Sequence, residues 1–491
     1  MSEQQTTVLD SIPALITRAM ADWHIPGLAI AVVQANELTM LHGFGWRDKK
    51  ASLPVTTDTL FPICSLTKSF TASGLAILAD AGRLDWDRPV RDYVPELRLH
   101  DRDATDRVSV RDLLLHRTGL PRHDWVHMAG TLDRMGQVQV LRHLEPSAGL
   151  RERWQYQNLM YNLAGVVTER ISGKSWEDFI RAEILEPLGM NRYATSLATM
   201  QEDPDHARPY VLLDGSLRCV PVRPIHTIPS GGLAASISSM AHYLRMHLGG
   251  DSFEGRQLLS PAVSRLMQSP QVYVGASPWA ELGECHYGLG FDVLQYRGDK
   301  RVSHAGAWTG YCSALVMLPD QRMGVVVLTN GHDHALGPAI ASIVFDRLCG
   351  RDELPWLQRL SDLRDKAAAE QEERRTTWLS SRHDGTSPSH PTADYAGHYE
   401  HPAYGLICVM AERRRLQLHG LGISSPLTHW HYDVFMTDAD PTIWIEGWPV
   451  IFGYGDTGRI DRLMIRLEPS LPKMVFSRVQ CIPPARAADA E

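Results

Sequence analysis

The residues best suited to chemistry fall into three short groups. The first is Ser65-Leu66-Thr67-Lys68, which follows the apolar stretch Leu60–Cys64 and opens a segment of helical pattern. In a helix, residues i and i+3 share a face, so Lys68 can reach the Ser65 hydroxyl. A serine becomes a nucleophile only beside a base, and a lysine whose pKa is lowered by desolvation can supply one. A helix N-terminus would also aim the Ser65 amide at developing negative charge. Taken alone, the same four residues read first as an N-cap serine followed by a surface lysine. The second group is Tyr156-Gln157-Asn158, about ninety residues on, where another helix begins. The third is His304-Ala305-Gly306, at the start of a strand.

Other groupings carry less. His429, His431 and Asp433 would share one face of a strand, which suggests either a metal site or a solvated strand face. His332 and His334 follow a strand end and read as loop residues near the pocket rim. Gly173-Lys174-Ser175 ends like a phosphate-binding loop. The first glycine of that pattern would fall at Thr168 and no strand precedes it, so the match fails. Cys64 has no evident base and reads as a small packing residue. No cofactor or metal is expected.

The elements that must position these groups can be read from periodicity. Leu9, Ile12, Leu15, Ile16, Met20 and Trp23 follow helical spacing. Leu28–Val33 and Leu38–His42, separated by Gln34-Ala35-Asn36, read as a hairpin. Helical pattern covers Ser65 to about Ala81, Val108–His116, Leu159–Ile171 and Ser236–His247. Strand character returns at Tyr287–Tyr296, Ser313–Leu318 and Val325–Thr329, before a helix over Leu336–Leu348. Strands at both ends with helices between predict an α+β fold, an antiparallel sheet closed by distant segments with a helical insertion. Residues 357–378 read as a charged helix and Ser380–Pro391 as a linker. Short strands then recur at about ten-residue intervals (Leu406–Met410, Leu416–His419, Asp433–Met436, Thr442–Glu446, Val450–Tyr454, Leu463–Leu467), which indicates an all-β barrel or sandwich. The expected division is 1–355, 356–392, 393–483 and a tail at 484–491.

The 491 residues carry 49 basic and 57 acidic side chains, a net charge of −8. A general nucleic-acid binder would need a basic surface, so that class is excluded. No apolar run reaches the length of a membrane span. The N-terminal segment lacks a secretory pattern, and the seven cysteines are scattered and odd in number. Reduced thiols in a cytoplasmic protein are the expectation.

A serine-lysine pair, a Tyr-x-Asn and a His-x-Gly in this order resemble the three motifs of the serine β-lactamase and penicillin-binding-protein family. The phrases IPGLAIAVV, FPICSLTKSFTASGLAILADAG, VRDLLLHRTGLP and PSGGLAASISSMAHYL are similar to the branch of class C β-lactamases, D-alanyl-D-alanine carboxypeptidases, esterases and D-aminopeptidases. The likeness covers roughly residues 10–350. It implies that Ser65 is acylated, that Lys68 takes part in its deprotonation, and that Tyr156 shuttles a proton. Asn158 would bond Lys68 and the substrate amide. The oxyanion hole would be the amides of Ser65 and Ala307, worth about 3–4 kcal/mol each. His304 would complete the catalytic set, and Gln157, Ala305 and Gly306 would bind substrate. Two departures stand out. His304 replaces a lysine and binds a carboxylate less strongly, which favours esters, amides or peptides over penicillins, and Gln157 replaces a small residue and is expected to narrow the site. YAGHYEHPAYG, LTHWHYDVF and IRLEP resemble the lipocalin-like barrel that follows the hydrolase in some members, where it covers the active-site mouth, organises an oligomer or simply packs.

The leading expectation is a serine hydrolase of a small peptide, amide or ester, with a D-residue on the acyl side. The alternative is a penicillin-binding-protein-type thioesterase that passes the acyl group of a carrier-bound peptide to an amine. A catalytically silent scaffold is the third reading. The chain is also expected to form homo-oligomers, with no nucleic-acid or membrane partner.

Overall fold

The computed structural model describes residues 3–249, 252–331, 333–412, 415–443 and 445–480. His332, Cys481 and the tail at 484–491 lie outside the described residues. Nine antiparallel strands form the main sheet. In spatial order they are Val272–Gly275, Cys285–Tyr287, Asp292–Tyr296, Asp299–Trp308, Tyr311–Leu318, Met323–Thr329, Gly27–Gln34, Glu37–Asp48 and Leu53–Pro54. The expected closure by distant segments is present: Leu28 pairs with Thr329 and Gln34 with Met323. The expected single strand over 287–296 is instead two strands joined by a tight turn at Gly288–Phe291.

Alternation along Gly27–Gln34 explains both faces of the sheet. Leu28, Ile30 and Val32 pack with the helices Glu3–Asp22 and Leu336–Leu348. Ala29, Ala31 and Val33 belong to the opposite core, shared with Phe70 and Leu75 of the helix Thr67–Asp80. Small side chains on that face let the helical layer approach closely. The helical insertion includes Asn158–Ser172, closed by Gly173 in the left-handed conformation (φ 77°). Ser175 then caps the next helix, so Gly173-Lys174-Ser175 is a helix-to-helix turn.

The helix Trp356–Ser380 is anchored by buried Trp356 and exposed over most of its length. It leads to eight antiparallel strands between Gly397 and Val479, closed into a barrel by pairing of the first with the last. Tyr399, Ile407, Leu418, Phe452, Leu463 and Phe476 are buried in its core. The choice between barrel and sandwich is thereby resolved. Two expectations are corrected. Within the expected strand Thr442–Glu446, Thr442 and Ile443 belong to a 3₁₀ turn, Pro441–Ile443, and Ile445 makes only an isolated bridge with Asp440; Trp444 lies outside the described residues. The strand Ile423–His431 is hidden in the sequence because it contains Pro426 and places the polar Ser425 at a buried position, which breaks the apolar alternation. His429, His431 and Asp433 do not share a face either. The register breaks between His429 and His431, Tyr432 turns the chain at φ 45°, and Asp433 accepts hydrogen bonds from Ser389 and Tyr395.

Candidate active site

The short strand Phe61–Pro62 pairs with Ala234–Ala235, and Cys64 then turns the chain at φ 50°. A non-glycine residue at positive φ costs about 1–2 kcal/mol and persists only where its surroundings enforce it. Here the Ile63 N–H donates to Leu233 O at 3.0 Å and the Ile63 carbonyl accepts from Ser313 Oγ at 2.6 Å. The strained turn delivers Ser65 in a 3₁₀ segment, Cys64–Leu66, that runs directly into the helix Thr67–Asp80. Cys64 itself is buried, which pushes its thiol pKa up; it packs and does not react.

Lys68 is fully buried. Its Nζ donates to Asn158 Oδ1 at 2.8 Å and to Ser230 O at 2.7 Å, and lies 3.3 Å from Ser65 Oγ. Burial first, and the nearby Arg122 second, hold its pKa well below the usual lysine value. Asn158 Oδ1, Ser230 O and Ser65 Oγ thus surround the Lys68 nitrogen, and the lowered pKa favours its release of a proton.

Tyr156 sits over this amine, its ring centroid 4.7 Å from Lys68 Nζ, with its hydroxyl beside Ser65. Burial raises its pKa, so it rests as a phenol. Asn158 opens the helix that follows and bridges two charges: its amide nitrogen donates to Asp124 Oδ1 at 3.0 Å. Asp124 Oδ2 accepts from Arg122 Nε at 2.5 Å, and His127 Nε2 lies 3.1 Å from Oδ1. Burial alone would raise the Asp124 pKa; Arg122 and His127 hold it far below the carboxylate range. Gln157 departs from its expected role. It is fully buried, donates to Pro121 O at 2.6 Å and caps its own helix through the Leu159 N–H. It therefore fastens the 121–124 segment and forms no part of the cavity wall.

His304 lies on the strand Asp299–Trp308, nearly buried. Its Nδ1 is 2.7 Å from Ala305 O and its Nε2 is 2.9 Å from the Tyr287 hydroxyl. A carbonyl only accepts, so Nδ1 carries the hydrogen and Nε2 accepts from Tyr287. Burial, reinforced by Lys68, lowers its pKa to about 3. Two residues on, Gly306 presses against the Cys64–Ser65 turn. A Cβ built there would stand 2.6 Å from the Ser65 amide nitrogen and 2.6 Å from Ser313 Oγ. Ala307, next along the strand, lines the cavity together with Ser65.

The neutral histidines have a measurable consequence. His304 and His401 are lowered to about 3 and about 4, and His116 and His123 are lowered too, each chiefly by burial. The native state then binds fewer protons than the unfolded chain below about pH 6.5, so stability is full above that pH and declines as pH falls towards 4. Asp292, raised to about 7 by burial, opposes this as one group against four. The urea midpoint is expected to drop between about pH 7 and about pH 4.5; an unchanged midpoint would refute neutral burial.

The cavity at Ser65 has a volume of about 340 Å³, walled by Asn158, Thr227, Ala307, Met128 and Trp308 among others. A groove of about 400 Å³ shares Met128 and Trp308 with it and continues to Gly422 and Thr442 of the barrel. Gly422, at φ 73°, packs so closely on the cavity segment that a Cβ would stand 2.8 Å from Met128 O. Thr309 Oγ1 donates to Thr442 O at 2.8 Å, and Trp125 meets Trp448 edge-to-face at 4.5 Å. Buried Glu468 accepts from the His123 N–H, and Tyr404 lies 2.7 Å from His123 Nδ1. The barrel therefore braces the segment that carries Arg122 and Asp124. Trp448→Ala is expected to remove about 1 kcal/mol of aromatic pairing. Amide exchange across 123–130 should accelerate in the full chain; unaltered exchange there would contradict the brace.

The structure brings together Ser65, Lys68, Tyr156, Asn158 and Ala307, with His304 one hydrogen-bond layer behind. Sequence reading passed over Arg122, Asp124, the Ser230 carbonyl and Tyr287. The adjoining Arg122-His123-Asp124, three ionisable residues after the turn Thr118-Gly119-Leu120-Pro121, was the available signal.

Comparison with known proteins agrees with this geometry. The Beta-lactamase family model matches residues 12–343, and a second family, Domain of unknown function (DUF3471), matches 381–478. The unguisins hydrolase ungD' of Aspergillus campestris is 28% identical over 429 residues, covering 82% of this chain and 78% of that protein. Penicillin-binding protein 4* of Bacillus subtilis is 27% identical over 325 residues, 61% of this chain and 67% of that protein. The octameric penicillin-binding protein homologue from Pyrococcus abyssi superposes with a TM-score of 0.64 at 25% identity, covering 96% of this chain and all of the other. With two thirds of its length matched and its three motifs assembled around one cavity, the chain belongs to the beta-lactamase family of serine hydrolases.

Proposed function

We propose that the protein cleaves an amide, peptide or ester through an acyl-enzyme on Ser65. The observation that carries this reading is the position of Lys68 Nζ, held at 2.8 Å from Asn158 Oδ1 and 2.7 Å from Ser230 O and thereby placed 3.3 Å from Ser65 Oγ. Lys68 takes the Ser65 proton as Oγ bonds to the substrate carbonyl carbon, and the oxyanion accepts from the amides of Ser65 and Ala307. The carbon–leaving-group bond then breaks, Tyr156 protonates the departing atom, and Lys68 returns its proton to Tyr156. Water resolves the ester by the reverse path, so the net reaction is hydrolysis. His304 acts behind this shell, orienting its strand without contributing charge. The relatives named for unguisin hydrolysis support a peptide substrate; a D-residue on the acyl side is part of the same reading.

The groove leading from the cavity to the barrel supports a second reading, in which an amine occupies it and resolves the acyl-enzyme. We place the hydrolase at 1–355, its connecting segment at 356–392 and the barrel at 393–483. The protein is assigned to the cytoplasm and to a homo-oligomer. Cys64, Cys219, Cys285, Cys312 and Cys349 are free thiols, which supports a reducing compartment, and the similar Pyrococcus protein is octameric, which supports an oligomer. Intact-mass analysis after brief exposure to an activated phenylacetyl ester tests the chemistry. The expected result is a phenylacetyl adduct on the peptide containing Ser65; an adduct elsewhere, or turnover without labelling of Ser65 by a fluorophosphonate, would overturn it. A peptidyl thioester separates the two acceptors, linear acid reporting water and a cyclic product reporting an amine.

A further inference from the structure

The cavity lacks a cation where the third motif would have placed one. His304 is neutral with both ring nitrogens engaged, and Lys68 is buried with its hydrogens committed. Among the cavity-lining residues the solvent-facing permanent cation is Arg122, whose side chain is 54% exposed. It stands on the segment braced by the barrel, its guanidinium carbon 5.2 Å from the centroid of the Tyr156 ring.

Asp124 does not consume this charge as a ligand-binding group. Its Oδ1 is engaged by Asn158 and His127 and its Oδ2 by Arg122 Nε, so the carboxylate already has three partners. It is therefore poorly placed to hold a substrate ammonium. Arg122 spends only its Nε. Its two terminal amino groups, four N–H in all, have no hydrogen-bond partner among the described residues. The pairing with Asp124 and the contact with the Tyr156 ring fix the fork before a ligand arrives, which lowers the ordering cost of binding. A planar, preset pair of donors matches a carboxylate in bidentate geometry.

We propose that Arg122 forms a carboxylate-binding subsite, so that the preferred substrates are amides or esters carrying a free carboxylate near the scissile bond. This rests on the reading of Ser65 as the nucleophile and names the substrate class for it. The carboxylate can belong to the acyl part or to the leaving group, and two matched ester pairs distinguish these. The acyl pair is p-nitrophenyl hemiglutarate against p-nitrophenyl butyrate. The leaving-group pair is m-carboxyphenyl phenylacetate against phenyl phenylacetate.

The readout is the anionic-to-neutral ratio of kcat/KM within each pair. In one pair Arg122→Gln is expected to lower that ratio about tenfold, mainly through KM, and Arg122→Lys to retain part of it. The pair that responds identifies the side. A ratio change below about fivefold in both pairs would overturn the proposal, since a purely structural arginine would depress both members alike. If the wild-type protein turns over none of the four esters, the Ser65 reading fails and calorimetry decides the subsite. Ser65→Ala protein must then bind hippurate more tightly than hippuramide, and adding Arg122→Gln must erase that preference; equal binding of the two by Ser65→Ala protein would overturn it.

Discussion

Lys68→Met is expected to lower kcat/KM for any ester substrate by about 10⁴-fold or more, and Ser65→Ala by as much. The serine hydroxyl is a weak nucleophile at neutral pH, and the base within reach of its Oγ is the Lys68 amine at 3.3 Å. Tyr156 cannot replace it, because burial keeps its phenol protonated. Groups that act as one unit are not additive, so the double variant should sit at the same floor as either single one. The methionine isostere fills the volume but leaves Asn158 Oδ1 and Ser230 O without a donor, a cost of about 1–3 kcal/mol per buried group. Its unfolding midpoint must therefore be measured beside its rate. The pH profile separates chemistry from folding. In the wild-type protein kcat/KM should climb with pH as Lys68 loses its proton, on a limb displaced well below the ordinary lysine value. The methionine variant should lack that limb. Activity within tenfold of wild type in a folded Lys68→Met protein would remove lysine from the mechanism.

Gly306→Ala is expected to cost about 10²–10³ in kcat, the loss typical of one oxyanion donor. The physical cause is crowding: the added Cβ would meet the Ser65 amide nitrogen and Ser313 Oγ, each at 2.6 Å, and Cys64 Cβ at 2.8 Å. None of these can yield freely. Ser313 Oγ donates to Ile63 O, and Cys64 already holds a positive φ. The strand must retreat from the nucleophile turn, which separates the Ser65 and Ala307 amides that jointly face the oxyanion. Overpacking of this kind also destabilises by about 1–3 kcal/mol. A short-chain p-nitrophenyl ester reads the rate and urea unfolding reads the stability. Wild-type kcat with lowered stability would show that the oxyanion hole does not depend on this approach.

Much of the scaffold was legible before any coordinates. The hairpin from Leu28, the helix after Ser65, the helix from Leu159 and the strands Ser313–Leu318 and Val325–Thr329 all follow from periodicity, because burial on one face or two imposes it directly. The linkage of Ser65, Tyr156 and His304 followed from motif order. Less visible were features without a period. Ile423–His431 hid behind a proline and a buried serine, and Thr442 and Ile443 are strand-forming residues in a 3₁₀ turn that docks on Thr309.

The residue types and their order point to the family and to Ser65 and Lys68 as the proposed nucleophile and base, since these depend on chemistry that a side chain carries wherever it is placed. Charge and reach are different, because they depend on neighbours distant in the chain. The Lys68 pKa is lowered because helix and loop bury it, His304 is uncharged because burial and the contacts of both its nitrogens with Tyr287 and Ala305 favour the neutral ring, and Gln157 is a cap because Pro121 O lies within 2.6 Å. Arg122 emerges as the cavity's accessible cation only once the barrel, hundreds of residues later, braces the segment that carries it.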